Sequence, residues 1–134
     1  MYLSIDVFTR GFIKKIFSFN YFEKIHAKED FNRVFKNGVK FDSEYIKIFI
    51  YKRHDGCDVR RLGLITSRKI GGSVVRNKVK RKLREIFRTN KYLLKPGLDL
   101  IFISKKNIVH VKYYNLEKHI FDLIKNVKIF LNAG

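Results

Sequence analysis

The segment Leu98-Asp99-Leu100-Ile101-Phe102-Ile103 is apolar at every position but one and follows a Pro96-Gly97 turn. A strand with one wet face would alternate polar and apolar residues. This one reads as buried on both faces, a central strand with other elements packed above and below it. Residues 45–52 do alternate, with Ile46, Ile48 and Ile50 on one face and Tyr45, Lys47, Phe49 and Tyr51 on the other. That pattern predicts a half-buried strand. A polar turn containing Gly56 leads to a further strand at 61–67, so the two are expected to pair as a hairpin.

Helical periodicity accounts for most of the rest. Phe31, Val34 and Phe35 follow Glu29 and Asp30 and precede Lys36 and Gly38, which suits a short helix whose end charges complement its dipole. Residues 74–89 carry an apolar stripe of Val75, Val79, Leu83, Ile86 and Phe87. Leu116, Ile120, Leu123, Ile124, Val127 and Leu131 form a third stripe, with Asn115 as its expected N-cap. Phe8, Phe12, Ile13, Ile16 and Phe17 recur more loosely, with Lys14 and Lys15 opposite. Residues 1–24 are therefore read as an amphipathic or poorly ordered N-terminal extension, and 25–134 as a single domain. The class is α+β, a small central sheet packed with helices in the order α-β-β-(β)-α-β-α.

Charge points to the partner. Thirty Lys and Arg face 12 Asp and Glu, a formal net charge of +18, which is the footprint of a protein that displaces counterions from a phosphate backbone. The 74–89 helix concentrates it: Arg76, Lys78, Lys80, Arg81, Lys82, Arg84 and Arg88 share the surface left by the apolar stripe with Asn77 and one acid, Glu85. Like charges at i and i+4, such as Arg76, Lys80 and Arg84, repel by a few tenths of a kcal/mol per pair, so stability alone would not build this face. Glu85 is expected to relieve part of the repulsion by pairing with Arg81. The array runs about 20 Å at roughly 1.5 Å per residue, which suits an RNA strand or a folded RNA surface. Three aromatics and a lysine on the outer face of the 45–52 strand are unusual for a solvent face, so that face is expected either to lie under a second packed core or to be used in binding.

Other chemistries find little support. Cys57 is the sole cysteine, which excludes an intramolecular disulfide and a cysteine-based zinc cluster and suits a reducing cytoplasm. His26, His54, His110 and His119 are scattered and no carboxylate pair is evident, so neither catalytic nor metal-ligating residues are assigned. No apolar run is long enough to span a bilayer. A membrane-surface role would rest on residues 1–22 alone, and no membrane partner is assigned.

The segment Ile70-Gly-Gly-Ser-Val-Val-Arg-Asn-Lys-Val-Lys-Arg-Lys-Leu-Arg-Glu resembles the signature of the bacterial ribonuclease P protein subunit. That signature reads Arg-Asn, two residues, Lys-Arg, two residues, Arg, and is met by Arg76, Asn77, Lys80, Arg81 and Arg84. Leu62-Gly-Leu-Ile-Thr-Ser-Arg-Lys-Ile-Gly and Asp30-Phe-Asn-Arg-Val-Phe-Lys-Asn-Gly are similar to family patterns in the same order, so the resemblance covers about residues 25–130. Ser73 replaces the usual Ala, Lys78 a common Arg, and the first twenty or so residues have no usual counterpart.

The resemblance implies a ribosomal protein S5 domain 2-like fold with an unusual left-handed βαβ crossover. It implies a subunit of an endoribonuclease whose RNA, using Mg2+ bound mainly by that RNA, removes the 5′ leader of precursor tRNA. The expected stoichiometry is one protein per RNA. It further implies that the basic helix, through Arg76, Asn77, Lys78, Lys80, Arg81, Arg84 and Arg88, meets the RNA subunit. A cleft between the first helix and the sheet, with Phe31, Phe35 and Phe49, would take the leader. Strand alternation adds Tyr45 and Lys47 to that cleft, and Arg68 and Lys69 are expected to supply further charge. A general RNA-binding or ribosome-associated protein without a processing role would share the charge and the aromatics; only the motif separates the two.

Overall fold

The structure, a computed structural model, describes residues 19–125. The amphipathic pattern over Phe8 to Phe17 lies outside them, as do Val127 and Leu131. Three helices, α1 (Lys28–Asn37), α2 (Ser73–Asn90) and α3 (Tyr113–Ile124), surround a sheet of β1 (Val39–Asp42), β2 (Ile46–Lys52), β3 (Arg61–Ile65) and β4 (Leu98–Ser104). The strand order is β1-β2-β4-β3. β4 is central as expected, with every residue but Ile103 buried. It pairs antiparallel with β2, where Ile50 faces Leu100 and Ile48 faces Phe102, and parallel with β3, where Leu62 faces Leu100.

The expected hairpin is not formed. β4 inserts between β2 and β3, because its apolar sequence requires a hydrogen-bonded neighbour on each side and burial on each face. The chain returns from β3 to β4 through α2, so the parallel β3-α2-β4 unit is the crossover whose hand the resemblance implies. The additional strand precedes the other three rather than following two of them. β1 is a short edge strand, mostly exposed, and carries no alternation by which a sequence could announce it. α3 begins at Tyr113 with Lys112 as N-cap, which leaves Asn115 inside the first turn and not at the cap.

The two faces of the sheet are packed unequally. Ile46, Ile48, Ile50, Leu62, Leu100 and Phe102 meet Val79, Leu83, Ile86 and Phe87 of α2 and Leu116, Ile120 and Ile124 of α3 in one large buried cluster. On the other face Ile25, Val34 and Ile101 are the fully buried members, with Phe31, Phe49, Tyr51, Ile65 and Ile103 only partly covered. Each buried aliphatic side chain stabilises by roughly 1.5–3 kcal/mol, so stability resides chiefly on the α2–α3 side. The α1 side is thin enough to leave apolar and aromatic groups open. Residues 19–24 pack with the domain: Phe19 meets Phe87 edge-on at 5.6 Å, buried Glu23 pairs with Lys91, and Ile25 N–H donates to the Leu62 carbonyl at 3.0 Å.

Asp99, the one charged residue in β4, is completely buried. Its carboxylate accepts from Arg53 Nη1 at 2.7 Å and from Arg61 Nε and Nη2 at 2.8 and 2.7 Å. Arg61 extends to Asp30 in the first turn of α1 at 3.3 Å, and Arg53 donates to the carbonyls of Cys57, Val59 and Leu98. One carboxylate thereby ties β2, β3, β4, α1 and the 53–60 loop together. The hydrogen bonds from Asp99 hold the Arg61 guanidinium above its ordinary pKa, so it stays charged throughout the accessible pH range. Asp99→Asn leaves the buried Arg53 with only the half-exposed Asp55 as counter-charge and Arg61 with only Asp30. We expect a loss of about 3–5 kcal/mol, measured by urea unfolding, the usual cost of removing one partner from a buried pair.

Candidate RNA interface

Because Val79, Leu83, Ile86 and Phe87 turn inward, the polar residues of α2 must face outward. Asn77, Lys78, Arg81 and Arg84 are exposed, and Arg76, Lys80, Lys82 and Arg88 are half-buried. Glu85 pairs with Arg88, at 3.0 Å to Nε, rather than with Arg81. The i,i+3 geometry lets the two side chains meet in a bidentate arrangement that also depresses the Glu85 pKa. Lys82 Nζ donates to the Val111 carbonyl at 3.1 Å and so helps to seat the helix. Of the seven cations, Arg88 alone forms an ion pair among the described residues. Arg76 also keeps a buried Nε without a hydrogen-bond partner among them. The face retains a large uncompensated positive charge.

The second surface lies on the thin side of the sheet. α1 crosses it with Val34 at zero exposure and with Phe31 and Phe35 along one flank. Phe35 meets Phe49 of β2 edge-on at 5.0 Å and lies 6.5 Å from Phe31. Gly63 of β3 allows this arrangement: a Cβ at that position would lie 2.6 Å from Cε1 of Phe31. Lys47 is on the same strand face as Phe49, two residues earlier and half-buried. The three phenylalanines and Lys47 are therefore brought together. Arg68 and Lys69 are exposed in a single turn just beyond β3, with no described contact to the phenylalanines.

Tyr45 is not part of this cleft. It precedes the first strand residue and packs with the large cluster, edge-on to His119 of α3 at 5.0 Å. Strand alternation fails there because the extended pairing starts only at Ile46. Residues not assigned from the sequence join the site instead. Ile65 and Ile103 extend the cleft floor. A groove of about 240 Å3 is lined by Phe19, Lys24, His26 and Phe31 together with Lys80 and Arg84. It joins the aromatic cleft to the basic helix across the edge of β3, a juxtaposition that separate sequence segments could not signal.

The ribonuclease P family model matches residues 19–128, most of the chain. The chain belongs to the ribonuclease P protein family. The ribonuclease P protein component of Thermotoga maritima is 33% identical over 115 residues, covering 83% of this chain and 97% of that protein. That of Clostridioides difficile is 32% identical over 112 residues, covering 83% and 96%. Among solved structures, the Staphylococcus aureus RNase P protein superposes with a TM-score of 0.72 at 27% identity, covering 81% of this chain and 97% of that one. The Thermotoga maritima RNase P protein gives 0.68 at 33% identity, with 78% and 97% covered. In this ribonuclease P protein, the residues that hold the cleft together differ from those that line it. Ile101→Ala, at zero exposure, should cost about 2–5 kcal/mol in thermal or urea unfolding. Phe35→Ala should cost about 1 kcal/mol, the worth of its aromatic contact.

Proposed function

We propose that this chain is the protein subunit of ribonuclease P, that α2 binds the RNA subunit, and that the cleft of Phe31, Phe35, Phe49 and Lys47 holds the single-stranded 5′ leader of precursor tRNA. The observation that carries the reading is the exposed cationic face of α2, whose charges find one internal carboxylate among the described residues. A guanidinium can grip a phosphate with two parallel hydrogen bonds, and each phosphate contact releases counterions. The cleft supplies what a leader needs: aromatic rings for stacking, a cation for the backbone, and an open flank for entry.

Hydrolysis is assigned to the RNA subunit, with Mg2+ held mainly by that RNA. Among the described residues there is no group of three or more His, Cys, Asp and Glu side chains placed to hold a metal ion. The protein's proposed contribution is positioning: α2 anchors the subunit on the RNA while the cleft aligns the leader. One protein per RNA is the expected stoichiometry. The proposed site of action is the cytoplasm, a reducing compartment that suits a lone exposed Cys57. No described helix is long and apolar enough to cross a membrane.

Two measurements test the reading. Purified protein should leave precursor tRNA uncut and should restore cleavage by ribonuclease P RNA at low Mg2+; turnover by the protein alone would overturn it. The double variant Arg76→Ala, Arg81→Ala should weaken association with the RNA subunit and reduce the salt slope of log K by about 1–2, since two phosphate contacts are removed. An unchanged slope would mean that α2 faces something other than RNA.

A further inference from the structure

Beyond the end of α2, the chain exposes a cluster of rings that neither of these roles uses. Phe22 is 73% exposed, Tyr21 65% and Tyr92 43%, whereas most large apolar side chains among the described residues are covered. Phe22 and Tyr92 line one groove of about 310 Å3 with Asn20, Glu23, Arg60 and Lys91. Within it, Lys91 is paired with Glu23. The Arg60 guanidinium has no ion pair among the described residues. Its Nε donates to the Leu94 carbonyl at 2.8 Å, and its centre lies 5.4 Å from the Tyr92 ring. The result is an exposed Phe22 ring sharing a groove with a fixed cation whose remaining N–H groups have no described acceptor, while the Tyr92 ring carries Arg60 and, at 5.3 Å, Lys91. That is the pairing of features by which proteins take an unpaired nucleotide, with the base on a ring and the phosphate on a guanidinium.

The location narrows the occupant. Phe19, Lys24, Ile25 and His26 line the groove of Lys80 and Arg84, while Asn20, Phe22 and Glu23 line this one, so a single turn at Tyr21–Glu23 is the ridge between them. The basic face of α2 leads across that ridge to Phe22. The leader cleft, by contrast, is centred where Phe31 packs on Gly63 in the middle of β3, whereas Val59 and Arg60 precede the strand's first residue. At roughly 3.3 Å per residue the two are about 10 Å apart along the strand.

We infer that the groove between Phe22, Tyr92 and Arg60 is a second RNA contact, which stacks an unpaired nucleotide of the ribonuclease P RNA subunit and extends the footprint of α2. This rests on the assignment of α2 to the RNA subunit. The test uses the full-length protein and ribonuclease P RNA, with association followed by filter retention across a salt series. Phe22→Leu with Tyr92→Leu keeps apolar bulk but removes both π faces. Phe22→Tyr with Tyr92→Phe keeps the π faces. The leucine pair should bind the RNA about tenfold more weakly with an unchanged salt slope, within the range expected for loss of one stacked base. The conservative pair should bind like the parent. All four substitutions are at exposed rings, so unfolding midpoints should stay constant.

Parental binding by the leucine pair, alongside weakened binding by Arg76→Ala, Arg81→Ala, would overturn the inference and leave the role of α2 standing. Loss confined to precursor tRNA binding by the assembled holoenzyme would overturn the occupant, assigning the groove to substrate. Failure of the parent protein to bind ribonuclease P RNA would remove both the inference and the reading on which it rests.

Discussion

A carboxylate with no exposure to water holds this fold in register. Asp99 is the one charged residue of a largely apolar central strand, and it is tolerable there only because Arg53 and Arg61 neutralise it and fill its hydrogen-bonding capacity. The pairing is also directional. Arg61 reaches onward to Asp30, so the same contact that satisfies Asp99 fixes where α1 crosses the sheet. The position of α1 in turn sets the separation of Phe31 and Phe35 from the strand below, and with it the width of the aromatic cleft.

Positive charge is managed in two ways within the one chain. Arg53, Arg61 and Lys91 are spent internally, on Asp99, Asp30 and Glu23. The cations of α2, apart from Arg88, are left without carboxylates among the described residues. The first group can be buried because each member has a partner. The second must remain near water until a polyanion arrives. The repulsion it carries, a few tenths of a kcal/mol per neighbouring pair, is small beside the core that α2 builds on its other face. A helix can therefore bear this face at little cost to folding, since its inward stripe anchors it regardless of what lies outside.

The asymmetry of the sheet serves the same division. The side covered by α2 and α3 is closed by large aliphatic residues, and α1 covers the opposite side incompletely. Phe31 and Phe49 are thus held firmly at one edge and left open at the other. Lys80 and Arg84 of the closed side line one groove with Phe31 of the open side across the edge strand, so the two surfaces proposed to meet RNA are continuous around β3.

The central strand, the three helices with their inward stripes, the outward cations of α2 and the glycine after α1 were all legible from sequence, because periodicity and charge report on a segment's own surroundings. Pairing was not. The 45–52 and 61–67 segments looked like a hairpin, since neighbours in sequence are the cheapest partners; only the demand of β4 for two strand neighbours and two covered faces separated them, and the second strand ends at Ile65. Tyr45 was read into the cleft by alternation and packs instead on His119, because the strand begins one residue later. Glu85 could reach a base on either side along the helix, and side-chain geometry decided for Arg88. The sequence by itself determined which residues seek apolar surroundings and which carry cations in excess of the chain's carboxylates. Tertiary structure decided which of them meet, because contacts between distant segments depend on how a whole sheet closes and not on any one segment's pattern.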